Sequence, residues 1–178
     1  MKTLLFLSSL LLAAATITGT AHAVQTGNLR ITGDIKGGTC HLDPGDVSRE
    51  IELPPVKVSD FDSSTWAGLR TFNLTANCDA DIRNVTFTVE GTPAPFAPEL
   101  FANTGGDARG VATVIQSRIG GVSYNFPANG DPAARSRTIP TTAGRAVIPM
   151  GTHYIKIPLS TVSKGTLITL ASVTITYN

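Results

Sequence analysis

The chain is expected to be an all-β protein, and three observations predict it. Apolar residues recur at every second position through most of the sequence. Clusters of Gly, Pro, Asn and Asp separate these runs, and no stretch longer than a turn or two carries a 3.6-residue period. Seventeen glycines and eleven prolines in 178 residues are enough to punctuate many short strands, as in a β-sandwich.

The first element is not part of the fold. Lys2 supplies a positive charge, Leu4 to Ala15 is an apolar run broken only by Ser8 and Ser9, and Ala21-His22-Ala23 is a small-x-small cleavage site. Residues 1–23 therefore read as a secretory signal peptide. The apolar run is short of the roughly 20 residues that a spanning helix needs, and no later stretch is long and apolar enough. The mature chain is expected to begin at Val24, without membrane insertion.

From Val24 the strand signal begins at once. Leu29, Ile31, Gly33 and Ile35 share one face, and Arg30, Thr32, Asp34 and Lys36 share the other. This predicts a half-buried strand, interrupted by Gly37-Gly38 before Cys40. Pro44-Gly45 is a turn. Ile51 and Leu53 suggest a short strand ended by Pro54-Pro55, with Val56 and Val58 continuing on an edge. Residues 60–68 read as irregular, anchored by Trp66, with one short helix expected over 62–69. Phe72, Leu74 and Ala76 then alternate with polar residues up to Cys78, and Val85, Phe87 and Val89 form the next strand.

Residues 93–110 read as a loop because Pro, Ala and Gly dominate them. Val111 to Ile119 is a central strand, joined through Gly120-Gly121 to Val122–Phe126 as a hairpin. Residues 127–144 form a second loop. Ala146 to Ile148 precede a Pro-Met-Gly break, and Tyr154, Ile155, Ile157 and Leu159 lie in the following strand. The last segment begins at Gly165. In it Leu167, Ala171, Val173, Ile175 and Tyr177 share a face, with Thr169 as the polar exception.

Charge and chemistry narrow the function. Fourteen Lys and Arg, one of them Lys2 in the leader, stand against thirteen Asp and Glu, so the mature surface is balanced and has no attraction for nucleic acid or anionic lipid. Cys40 and Cys78 are the only cysteines, and in an exported chain they predict one disulfide. A metal pair of Cys40 with His41 or His153 is the weaker alternative, since successive strand side chains face opposite ways. No nucleotide-binding fingerprint, phosphate loop, GxSxG or HExxH occurs. Asp43 and Asp46 near His41 are turn residues, and the sequons at Asn73 and Asn84 fall in predicted strands. No catalytic residue, cofactor or metal is expected.

Four features together resemble the subunits of chaperone–usher fimbriae, with the type 1 major pilins as the nearest pattern. They are the alternating Gly27-to-Ile35 stretch followed shortly by Cys40, the Phe72-to-Cys78 strand carrying the second cysteine, the penultimate Tyr177, and Gly165 as fourteenth residue from the end. The resemblance implies an incomplete immunoglobulin-like β-sandwich that lacks its last strand and is completed by donor-strand complementation. Residues 24–36 would be a donor extension running into the first strand, and 37–178 the pilin domain. Gly27, Leu29, Ile31, Gly33 and Ile35 would fill a neighbour's groove, and Gly165, Val173, Ile175 and Tyr177 would belong to the accepting strand. The implied partners are neighbouring pilus subunits, a periplasmic chaperone and an outer-membrane usher. The implied destination is a cell-surface fimbria, reached through the periplasm, with a role in adhesion. The same resemblance admits a single-domain tip adhesin or adaptor, for which Trp66, Tyr124 and Tyr154 are the candidate binding aromatics, or an assembly terminator.

Overall fold

The computed structural model describes residues 29–178; the expected signal peptide and Gly27 lie outside them. Two units are distinguished, residues 1–35 and 36–178. In the described part of the first, residues 29–35 form no strand, although their alternation predicted one. Period two states which face is apolar; it does not supply the partner edge that a strand needs.

The second unit holds ten strands and one helical turn. They are β1 (Cys40–Leu42), α1 (Asp60–Ser63), β2 (Trp66–Cys78), β3 (Asn84–Gly91), β4 (Pro93–Ala94), β5 (Ala97–Phe101), β6 (Val111–Ile119), β7 (Val122–Phe126), β8 (Ser136–Pro140), β9 (Arg145–Lys156) and β10 (Ala171–Tyr177). One sheet runs β1-β2-β9-β6-β5-β4, with β7 also pairing β6, and the other runs β10-β3-β8. All the pairings are antiparallel.

Alternation explains how the two sheets face each other. Leu74 and Ala76 of β2, Val85, Phe87 and Val89 of β3, and Ala146, Ile148 and Met150 of β9 point inward. Phe101 and Phe126 close the same core. Their neighbours Asn73, Thr86, Thr88 and Val147 face outward. A smaller satellite cluster of Ala94, Ala97, Leu100, Ala102, Ala112 and Val114 gathers around β5 and β6.

Several elements depart from the sequence reading. Ile51 to Val58 form no strand, because Pro54-Pro55 removes two consecutive donors. That segment is tied to β2 by side chains instead: Arg49 donates to the Asn73 carbonyl (2.6 Å) and Arg70 to the Glu52 carbonyl (2.9 Å). The helical turn falls at Asp60–Ser63, and β2 already begins at Trp66. Both long loops contain strands, β4 and β5 in the first and β8 in the second.

The expected break at Pro149 does not occur, and β9 runs straight through it. Pro149 sits opposite Asn73. The Asn73 carbonyl is occupied by Arg49, so this pair turns its backbone groups away from each other. The missing N–H of Pro149 therefore lies on the β6 side, where pairing has ended at Met150. β9 ends at Lys156. Leu159, expected in this strand, instead occupies a fully exposed turn with φ of 62°.

Candidate functional site

The two sheets leave one seam open. β1 ends the larger sheet and β10 ends the smaller one, and these two edges are neighbours. They belong to different sheets, so no ladder joins them. Cys40 and Leu42 on one side and Val173 and Ile175 on the other lie against the main core while remaining partly exposed. Apolar floor and unpaired walls thus coincide.

The cysteines frame this seam. Cys40 stands directly opposite Cys78, with Cα atoms 4.1 Å apart, and the two sulfurs are bonded at 2.04 Å. The bond anchors the three-residue strand β1, which is too short to hold its register by hydrogen bonds alone. It also removes Cys40 from metal chemistry. His153 instead stacks edge-on against Trp66, with ring centroids 5.4 Å apart. Burial lowers the His153 pKa and raises that of Tyr154.

The polarity of the β10 backbone follows from its last residue. Asn178 donates to the Asn84 carbonyl (3.3 Å) and accepts from the Asn84 N–H (3.5 Å), so these two form a hydrogen-bonded pair. Alternation then turns the backbone groups of Ser172, Thr174 and Thr176 toward β3. The N–H and C=O groups of Ala171, Val173, Ile175 and Tyr177 face the open side. Among the described residues they have no backbone partner there.

Sheet edges are normally defended by shortness, charge or proline. β1 has three residues, β4 has two and contains Pro93, and β8 carries Arg137 and ends in Pro140. β10 has seven residues and no charge or proline. β7, with five residues, also has one neighbour, but Arg137 donates to its Asn125 carbonyl and lies over its Tyr124 ring; among the edge strands of the described unit β10 is the longest and carries no such cover.

Val173, Ile175 and Tyr177 therefore share β10 as read from the sequence, with Tyr177 the more exposed. Gly165 does not belong to that strand. It precedes it, at φ 150°, where a Cβ would lie 2.5 Å from the Ala108 nitrogen. Leu29, Ile31 and Ile35 are each more than four-fifths exposed. Sequence reasoning missed Leu42 of β1 as the opposite wall. A two-residue alternation across Cys40 was the available signal, and it is too short to read alone. It also missed Asn103 and Asp107, which bind the segment before β10. Gly105-Gly106 between them reads only as a turn.

Fold and seam together define an immunoglobulin-like β-sandwich left open along its final strand. Solved pilus subunits share this fold. The P pilus rod subunit PapA superimposes with a TM-score of 0.60 at 18% identity, over 78% of this chain and 99% of its own. A subunit from the structure of a chaperone–usher pilus gives 0.61 at 16% identity, over 90% and 100%. In sequence, Protein LpfE of Salmonella typhimurium is 27% identical over 134 residues, 73% of each chain. The family model described as fimbrial protein matches residues 29–178, and the chain belongs to that family. It is a structural subunit of a surface fimbria.

Proposed function

We propose that this chain polymerises by donor-strand exchange, accepting a neighbour's N-terminal extension along β10 and donating its own. The observation that carries this reading is the undefended β10 edge beside a half-buried apolar seam. An added strand gains main-chain hydrogen bonds from the free backbone groups, and its alternate side chains close the core. On the donor side, residues 24–36 are the extension and 37–178 the body. Gly27, Leu29, Ile31, Gly33 and Ile35 are the groove-filling positions. Three aliphatic side chains that pass from exposed to buried contribute roughly 1.5–3 kcal/mol each.

An open edge of this kind aggregates unless it is covered. A periplasmic chaperone that lends a strand, and an usher that exchanges it, are the partners that solve this problem for a chain exported by a leader over 1–23. The role is structural and not enzymatic. An accepting edge favours a polymerising subunit over a terminator, which needs only to donate.

The test is assembly in cells that supply a chaperone and usher. A chain lacking residues 24–32 is expected to reach the chaperone but to form no fibres by electron microscopy. Fibres of normal length from that chain would overturn the donor assignment. Substituting Val173→Asp is expected to abolish chaperone capture as well, because it places a charge on the groove floor.

A further inference from the structure

The free edge does not stop where β10 begins. Residues 166–170 belong to no strand but continue the alternation of β10: Leu167 and Thr169 are half-buried, whereas Ile168 and Leu170 are exposed. Their backbone groups follow the same parity. The Thr166 N–H donates to Asp107 Oδ1 (2.6 Å), and its carbonyl accepts from the Ala108 N–H (2.9 Å) and from Asn103 Nδ2 (3.0 Å). The Ile168 N–H donates to Asn103 Oδ1 (2.9 Å), and its carbonyl accepts from the Thr104 N–H (2.8 Å). The Leu170 carbonyl faces Gly91, at 2.9 Å from where a Cβ there would be. Even-numbered residues from 166 to 176 thus turn their backbones inward. Among the described residues, the N–H and C=O of Leu167 and Thr169 have no partner, like those of the odd residues of β10.

The residues opposite 166 and 168 are not a strand. They are the loop 103–108, whose backbone and two side chains supply the donors and acceptors that β3 supplies further on. Gly106 permits this approach, since a Cβ there would clash with the Thr166 carbonyl. The polar exception on the inner face is also satisfied: the Thr169 hydroxyl bonds the Thr113 hydroxyl (2.7 Å) and the Ala102 carbonyl (3.1 Å).

We infer that loop 103–108 acts as a substitute strand that lengthens the accepting edge from Ala171–Tyr177 to Leu167–Tyr177, with Asn103 and Asp107 as its positioning residues. This inference rests on the strand-accepting role of β10. Its consequence is one of length and partner choice. Seven residues of edge span about 23 Å and eleven about 36 Å at 3.3 Å per residue. An extension with alternate positions from 27 to 35 covers nine residues, more than β10 offers by itself and within the longer edge. The partner selected is therefore a long donor strand, with side chains facing Leu167 and the Thr113–Thr169 pair as well as Val173 and Ile175.

Residue-resolved amide exchange on the full processed chain tests this, with a synthetic peptide of residues 24–36 as the probe. On adding peptide, the amides of Leu167 and Thr169 are expected to slow at least about tenfold together with those of Val173, Ile175 and Tyr177. In Asn103→Ala and Asp107→Ala chains the gain at 167 and 169 is lost, while that at 173–177 remains. Unchanged protection of Leu74 and Ile148 in the same spectra reports a folded body. Protection of 173–177 without 167 and 169 in the unsubstituted chain would overturn the longer edge alone. Full protection that survives both substitutions would remove Asn103 and Asp107 from the role. No protection anywhere would overturn strand acceptance, and the longer edge with it.

Discussion

Adjacent proline substitutions separate folding from strand acceptance. Ala171 and Ser172 are both exposed and small, so replacing either loses little side-chain packing. Both lie in β10, so the cost of forcing φ toward −65° is similar and cancels in the comparison. They differ in where the lost N–H points. Ser172 pairs with Glu90, on the β3 side. Ser172→Pro deletes a ladder hydrogen bond, about 1 kcal/mol, and strands the Glu90 carbonyl, a further 1–2 kcal/mol or so. The Ala171 N–H faces the open seam, where proline removes nothing that the folded chain uses. Ser172→Pro is therefore expected to be less stable than Ala171→Pro by about 2–3 kcal/mol. For a chain of this size each kcal/mol moves the melting temperature by about 2–4 °C, so the gap is roughly 4–12 °C. Assembly reverses the order of interest: Ala171→Pro folds but loses a donor to the incoming strand, and fibre yield falls. Calorimetry and electron microscopy read the two effects. Equal melting temperatures, or the opposite order, would refute the backbone parity on which the open edge depends.

Three further outcomes are expected. Replacing both Cys40 and Cys78 by Ala opens a loop with a sequence separation of 38, which should cost about 3–4 kcal/mol in urea unfolding. Phe96 is fully exposed at φ 63°, a conformation that a bulky side chain resists, so Phe96→Gly should raise stability by about 1 kcal/mol in the same assay. The His153 pKa is lowered by burial, so the unfolded chain binds its proton first as the solution is acidified. The neutral ring's stabilisation is complete above the unfolded pKa of about 6.5 and declines as pH falls below it. A melting-temperature profile from pH 8 to 5 should slope accordingly, and His153→Phe should flatten it.

How far the fold was legible depends on what each residue pattern encodes. Phe72 to Cys78, Val85 to Val89 and the hairpin around Gly120-Gly121 could be read because a strand with one wet face records its polarity in every second residue. β5 and β8 could not. β5 lies among Pro95, Pro98 and small alanines, and Ser136 to Pro140 has one aliphatic residue, Ile139. Proline misled in one direction only. At Pro54-Pro55 it does prevent a strand, whereas Pro149 is harmless because its ring faces the side where the pairing of β9 with β6 has already ended at Met150. That distinction lives in the neighbour's register, which composition does not contain. β10 was legible as an amphipathic run. That its edge is free is a property of topology, and it appears only when β10 is seen to have one neighbour.

The solvent face of β10 is as polar as its inner face is apolar. Ser172, Thr174 and Thr176 stand opposite Glu90, Thr88 and Thr86, and the ladder continues into β8 through Thr86–Thr138 and Thr88–Ser136 hydroxyl bonds of 2.8 Å. The outer face of the small sheet is thus polar across all three strands. Its backbone edge is bare, and its inner face is aliphatic. A strand that were simply unprotected would have no reason to be polar on one face and capable of pairing on the other. The hydroxyl ladder makes this face polar with no Lys or Pro in β10, either of which would hinder an added strand. The same division holds in the lengthened part of the edge. There the Thr169 hydroxyl is turned inward and bonded, so its backbone alone meets the open side. The edge is thus bordered by polar or bonded side chains that leave its backbone free to pair, which is what the proposed strand acceptance requires.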